Sequence, residues 1–142
     1  LKTPALASGP GAERYVSLYK SMGVPVEAIS TVPGDAATRK LLRSVMMKGL
    51  ASLVIEAMQA GHAAGCADWL WRNMAEQLTL ANEKMLSRLI TGTGKHALRR
   101  LHEMEASLAL LDELGVDPVM TRSTVQSHKN VLAQGVPPIP DS

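Results

Sequence analysis

From Asp35 to Ala60 the chain has apolar residues on almost every side of a 3.6-residue period: Leu41, Leu42, Val45, Met46, Met47, Leu50, Leu53, Val54, Ile55, Ala57 and Met58. An all-round apolar pattern predicts a long helix buried on most of its surface. Lys40, Ser44 and Lys48 interrupt it at i, i+4 and i+8, a spacing that places three polar groups on one face over about two turns. A lysine among apolar neighbours is costly unless it is paired or faces a wet cleft, so this helix reads as the wall of a site.

The pattern before Gly34 differs. Thr3 to Ser8 is a short strand candidate, and Gly9-Pro10-Gly11 is a turn. Ala12 to Met22 has near-helical spacing and stops at Gly23, and Val24 to Ser30 alternates as a second strand does. Strand, helix and strand in about thirty residues is one βαβ unit. Two strands make a poor sheet, so this piece is expected to be the edge of a larger parallel one.

Everything after Pro33 reads helical. Asp35 is the expected N-cap of the long helix. A second helix starts near Asp68, and apolar positions from Leu80 to Ile90 continue or restart it. Thr91-Gly92-Thr93-Gly94 is the expected break. Lys95 to Leu114 carries the stripe Leu98, Leu101, Met104, Leu108 and Leu111, with Gly115 as its C′ glycine. Asp117-Pro118 opens a last helix from about Met120 to Ala133, and the proline-rich tail from Gly135 is expected to be extended.

Composition supports a helical fold. Aromatics are 3% of the 142 residues, Phe is absent and there are 8 Met. Leu, Ala and Met cores suit helix-on-helix packing, whereas sheets favour β-branched and aromatic residues. The net charge of +2 comes with no Lys/Arg stripe or aromatic platform, which argues against nucleic acid as a partner. Gly49 to Ala60 is too short an apolar run for a membrane span and contains Glu56. The single Cys66 excludes an intramolecular disulfide and suits a reducing compartment. With no leader pattern in the first residues, these features point to a cytoplasmic protein. The chain opens on Leu rather than Met, so a piece of a longer protein is expected.

Several motifs have plain structural readings. Gly92-Thr93-Gly94-Lys95-His96 lacks the first glycine and the hydroxyl of a phosphate loop and reads as an interhelix turn. Cys66 reads as a buried thiol, and His62 and His128 as surface residues. No metal is expected, because no His, Cys, Asp or Glu pair has ligand spacing. The face lined by His96, Arg100, Glu103 and Ser107, with Arg99, His102 and Glu113 beside it, reads as solvated, with i,i+3 pairs such as Arg100 and Glu103.

Order and spacing add something further. The run G-D-A-A-x-x-K-L-L-x-S, entering a long apolar helix after a βαβ edge, resembles the junction of the β-hydroxyacid dehydrogenases, which include 3-hydroxyisobutyrate and 6-phosphogluconate dehydrogenases. H-E-M-E-A-S followed by Leu114-Gly115-Val116 is similar to a second block of that family. The resemblance covers nearly the whole chain and is nearest to a poorly characterised phosphogluconate-dehydrogenase-like subgroup. It implies a mainly α fold: residues 1–33 as the C-terminal edge of a dinucleotide-binding domain, and residues 34–142 as an all-helical substrate and dimerisation domain. It also implies Lys40 as the catalytic base, with Arg43, Ser44, Lys48, His102 and Glu103 on the substrate. NAD or NADP would be the cofactor of the complete enzyme, its site mostly outside this chain, and small hydroxy acids the substrate. Homodimerisation through interlocking helices is expected. Ser44 stands where the family has asparagine. Met47 and Lys48 replace the Glu and Tyr of the phosphogluconate enzymes, so the acid of that decarboxylation is missing. No G-x-G-x-x-G occurs, so the chain alone is expected to be inactive. The competing reading is a non-catalytic helical homodimerisation or interaction module.

Overall fold

A computed structural model describes residues 4–140. The element order is β1 (Ala5–Ser8), α1 (Ala12–Lys20), β2 (Val26–Ser30), α2 (Asp35–Ala63), α3 (Ala67–Thr79), α4 (Glu83–Lys95), α5 (Ala97–Glu113) and α6 (Val119–Gln134). The expected class, mainly α with a βαβ unit in front, is the one observed. Thr3 of the expected first strand and the last two residues of the tail lie outside the described residues. The chain forms two compact units, one ending at Leu50 and the other starting at Ala51, so the division falls within α2.

In the first unit β1 and β2 are parallel, with Ala5 opposite Val26 and Ala7 opposite Ala28, and the register shifts before Ser8 meets Ser30. α1 is the crossover. It ends at a left-handed Gly23 (φ 67°), where the Gly23 and Val24 amides return to the Lys20 and Tyr19 carbonyls. That is the glycine-terminated cap in which the amides after the last turn satisfy its orphan carbonyls.

The second unit is built on α5, which packs along α6, with α4 against both. Ala97, Leu101, Leu111 and Val125 are buried, and Met104 and Leu108 are half-buried between them. The stripe therefore holds from Leu101 to Leu111 at the expected spacing. Leu98 lies off it and is 56% exposed, and Ala97 takes the inward place near the start of α5. Gly115 (φ 68°) closes α5 as expected, its amide and that of Val116 bonding the Asp112 and Leu111 carbonyls. At the α2–α3 corner, a β-carbon on Gly61 would come within 2.9 Å of Leu70 and 3.3 Å of the Ala67 backbone. A side chain here would have to displace Leu70 and crowd the Ala67 backbone, so glycine suits the close approach of the two helices.

The expected break at Thr91–Gly94 is not there. α4 runs through all four residues, and the bend comes at His96 (φ −121°). Glycine costs a helix only about 1 kcal/mol per residue, which packing overrides. Here Gly92 gives room to the Arg100 guanidinium and Gly94 to Val136, whose nearest atoms would lie 3.3 and 3.2 Å from an added β-carbon.

Candidate functional site

The first turn of α2 is fixed by the carboxyl ends of both strands. Ser8, the last residue of β1, accepts a hydrogen bond from the Ala36 amide at 3.0 Å. Ser30, the last residue of β2, donates to the Asp35 carboxylate at 2.6 Å. The sequence predicts Asp35 as the N-cap. Instead Asp35 is the first helical residue, its carboxylate is taken up by Ser30, and a serine from β1 satisfies an orphan amide. Such a cap comes from a residue 28 positions away and leaves no local signature.

Lys40 follows Asp35 by five residues, a rise of about 7.5 Å along the helix. Lys40, Ser44 and Lys48 succeed one another along one face, with Arg43 beside them. Ser44 is half-buried, and the three cations are exposed, with no acidic partner among the described residues. The expectation that apolar neighbours wall Lys40 in is not met within this chain. Leu41 is 66% exposed, Leu42 65% and Val45 74%, and Met46 and Met47 are exposed as well. Apolar composition states what a helix needs to have covered, while burial depends on an element that covers it. Further along α2, Glu56 and Gly61 are buried and Val54, Ala57 and Met58 half-buried, whereas the apolar side chains from Leu41 to Met47 are exposed.

His102 and Glu103 stand on α5 in the second unit, and both are exposed. Glu103 forms an ion pair with Arg99, not with Arg100 as expected. The i,i+4 partner wins because Arg100 turns to α4 and donates to the Thr93 hydroxyl at 2.5 Å. The structure thus groups Lys40, Arg43, Ser44 and Lys48 on one helix, and His102 and Glu103 on another.

A charged residue that sequence reasoning passed over is the most deeply placed. Glu56, on the covered half of α2, is 5% exposed. Its carboxylate accepts from the Met120 amide at 2.5 Å, the Thr121 amide at 2.8 Å and the Thr121 hydroxyl at 2.6 Å. These amides belong to the first turn of α6, which begins at Pro118 without a side-chain cap of its own. Glu56 is therefore the cap, a carboxylate at the positive end of the helix dipole. Burial pushes its pKa up, but the Thr121 hydroxyl and the two amides outweigh it and hold the carboxyl below its ordinary range. Two signals were present: a lone Glu in an apolar run, and a helix opened by Asp-Pro with no Ser, Thr or Asn to cap it.

An open groove lies at the α2–α3 corner, lined by His62, Cys66, Asp68, Trp69 and Arg72 with the backbone of Gly65 and Ala67. Cys66 was expected to be buried and is exposed. It follows Gly65 (φ 71°) at the turn between the helices. Among the described residues no group of three or more His, Cys, Asp and Glu could hold a metal ion. Among the described residues no helix is long and apolar enough to cross a membrane.

Comparison with known proteins gives the following. An uncharacterized 28.5 kDa protein in the 7S RNA 5′ region of Methanothermus fervidus is 27% identical over 130 residues, which cover 92% of this chain and 51% of that protein. This chain thus spans about half the length of that relative. Two solved structures align over 93% of the chain. One is a conserved hypothetical protein from Sinorhizobium meliloti 1021 (26% identity, TM-score 0.44, 46% of its chain). The other is MTH1747, a conserved protein of unknown function described as structurally similar to 3-hydroxyacid dehydrogenases (27% identity, TM-score 0.47, 52% of its chain). The family described as "Domain of unknown function (DUF1932)" matches residues 61–131, half of the chain. The chain therefore belongs to the DUF1932 family.

Proposed function

We propose that this chain is the substrate-binding and dimerisation part of an NAD(P)-dependent oxidoreductase acting on a small hydroxy acid. The observation that carries the reading is the anchoring of α2: the serines ending both parallel strands hold its first turn, and the Lys40, Ser44 and Lys48 face follows directly. In open α/β sheets ligands bind at the carboxyl ends of the strands. A helix rooted there presents its side chains to whatever the sheet binds.

The chain does not itself make a cradle for the dinucleotide's pyrophosphate. Its strand-to-helix turn holds Gly9 and Gly11, but the Gly9 amide is spent on the Ser30 carbonyl at 3.1 Å and no third glycine follows. The cofactor would be held by residues outside this chain, as the greater length of its relatives allows. When bound, a nicotinamide supplies the hydride acceptor. This chain supplies the rest: Lys40 takes the hydroxyl proton, Lys48 and Arg43 bind the carboxylate, and Ser44 hydrogen-bonds the substrate or orients Lys40.

The uncovered apolar stretch Leu41 to Met47 is assigned to a second copy of the chain. A continuous run of exposed apolar side chains of this kind marks an interaction site. Light scattering in solution is expected to give twice the 15.2 kDa chain mass, and Val45→Asp to return it to one. A monomer that leaves this stretch bare would remove the dimer. For the reaction, the polypeptide carrying this chain with its cofactor domain is expected to form reduced nicotinamide from a panel of small 2- and 3-hydroxy acids with NAD or NADP. Dimer formation without turnover on any of them would instead favour the non-catalytic dimerisation module.

A further inference from the structure

Between Glu83 and Glu103 the chain has no acidic residue, yet it holds Lys84, Arg88, Lys95, Arg99, Arg100 and two histidines. With a net charge of only +2, the rest of the chain is net acidic, so positive charge is concentrated along α4, the His96 bend and the first turn of α5. Most of these cations are exposed, and Arg99 is taken up by Glu103. Arg100 is different. It is half-buried, and its Nη1 donates across the bend to Thr93 Oγ1 at 2.5 Å. The Thr93 hydroxyl gives its own proton to the Leu89 carbonyl, so it meets the arginine as an acceptor only. On the other side the guanidinium lies against bare backbone at Gly92, where a β-carbon would stand 3.3 Å from Nη2.

The arginine is therefore positioned at two points and has no carboxylate in reach among the described residues. Among the described residues one of its five N–H donors has a protein acceptor. No buried side-chain nitrogen lacks a partner among the described residues, so the remaining Arg100 donors reach solvent, where a rigid fork of this kind matches tetrahedral oxyanions. We propose that Arg100 is a seat for the dianionic phosphoryl group of a small ligand. The surplus of positive charge across the bend favours a dianion over a single carboxylate. Arg100 is not among the residues assigned to the hydroxy acid. The test below reads binding to this chain alone, so it stands or falls separately from the dehydrogenase reading.

The experiment is a titration of the 142-residue chain with inorganic phosphate, and in parallel with acetate, at constant ionic strength. The Arg100 Nε–H signal is followed by NMR. A saturable shift with phosphate is expected, with acetate at least tenfold weaker. Arg100→Lys and Gly92→Ala should each weaken phosphate binding at least fivefold, the second while retaining the guanidinium, and Arg99→Lys should change it less than twofold. An Arg100 signal that phosphate leaves unmoved, an equal response to acetate, or an Arg99→Lys loss as large as that of Arg100→Lys overturns the assignment. The wild-type titration decides the first two outcomes even where a variant fails to fold.

Discussion

Replacing Glu56 by Ala is expected to cost the chain about 3 kcal/mol or more of unfolding free energy, the largest loss for any single charged residue. The substitution removes a carboxylate that is 5% exposed and leaves two amides and a hydroxyl without their acceptor. An unsatisfied buried donor costs about 1–3 kcal/mol, and loss of the cap adds to that. Glu56→Gln keeps one acceptor oxygen but turns an NH2 group toward a donor, so a loss of about 2 kcal/mol is expected. The pH dependence follows from the lowered pKa of Glu56. A depressed carboxyl binds its proton less readily in the folded chain than in the unfolded one, whose glutamate titrates near about 4.3. Its contribution is complete above that value and is lost as the pH falls through the lower folded one. Denaturant unfolding at neutral pH and again below about pH 4 measures both effects. A neutral-pH loss below about 1 kcal/mol for Glu56→Ala, or an acid limb unchanged in Glu56→Gln, would show that α6 does not depend on this cap.

The second large effect concerns turnover by the polypeptide that joins this chain to a cofactor domain. Lys40→Met should lower kcat about 10²-fold or more while leaving dinucleotide affinity nearly unchanged, because general-base catalysis contributes about 10²–10⁴-fold. Lys40→Arg separates two roles. Arginine keeps the positive charge but does not give up its proton at working pH, so it cannot accept the hydroxyl proton. If Lys40 only holds the substrate carboxylate, Arg should restore most of the activity; if it is the base, Arg should be as inactive as Met. An increase in KM with kcat unchanged in both variants would assign Lys40 to binding alone.

Local signals were read well from the sequence. The βαβ unit, the start and length of the long helix, the Gly115 cap and the Leu101 to Leu111 stripe all depend on residues within a few positions of one another. What the sequence did not yield are contacts between distant segments. Ser8 caps α2 from 28 residues away and Glu56 caps α6 from 64 away, and neither has a periodic signature. Gly92 and Gly94 were read as a break because glycine weakens a helix locally, whereas their use is to admit Arg100 and Val136. For the candidate site, the spacing of Lys40, Ser44 and Lys48 on one face could be read directly from the sequence. Burial around them could not, because it depends on a covering surface and not on the helix's own composition. The exposure of Leu41 to Met47 is the same fact seen from the structure.

The most direct measurement is chemical labelling of lysines by a small acylating reagent, read by mass spectrometry on the assembled protein with its cofactor domain. With oxidised nicotinamide dinucleotide and a bound hydroxy acid, Lys40 should be acylated at least tenfold more slowly than in the free protein, while Lys20 and Lys129 keep their rates. A Lys40 that reacts as fast with ligands as without them would contradict its place at the reacting hydroxyl.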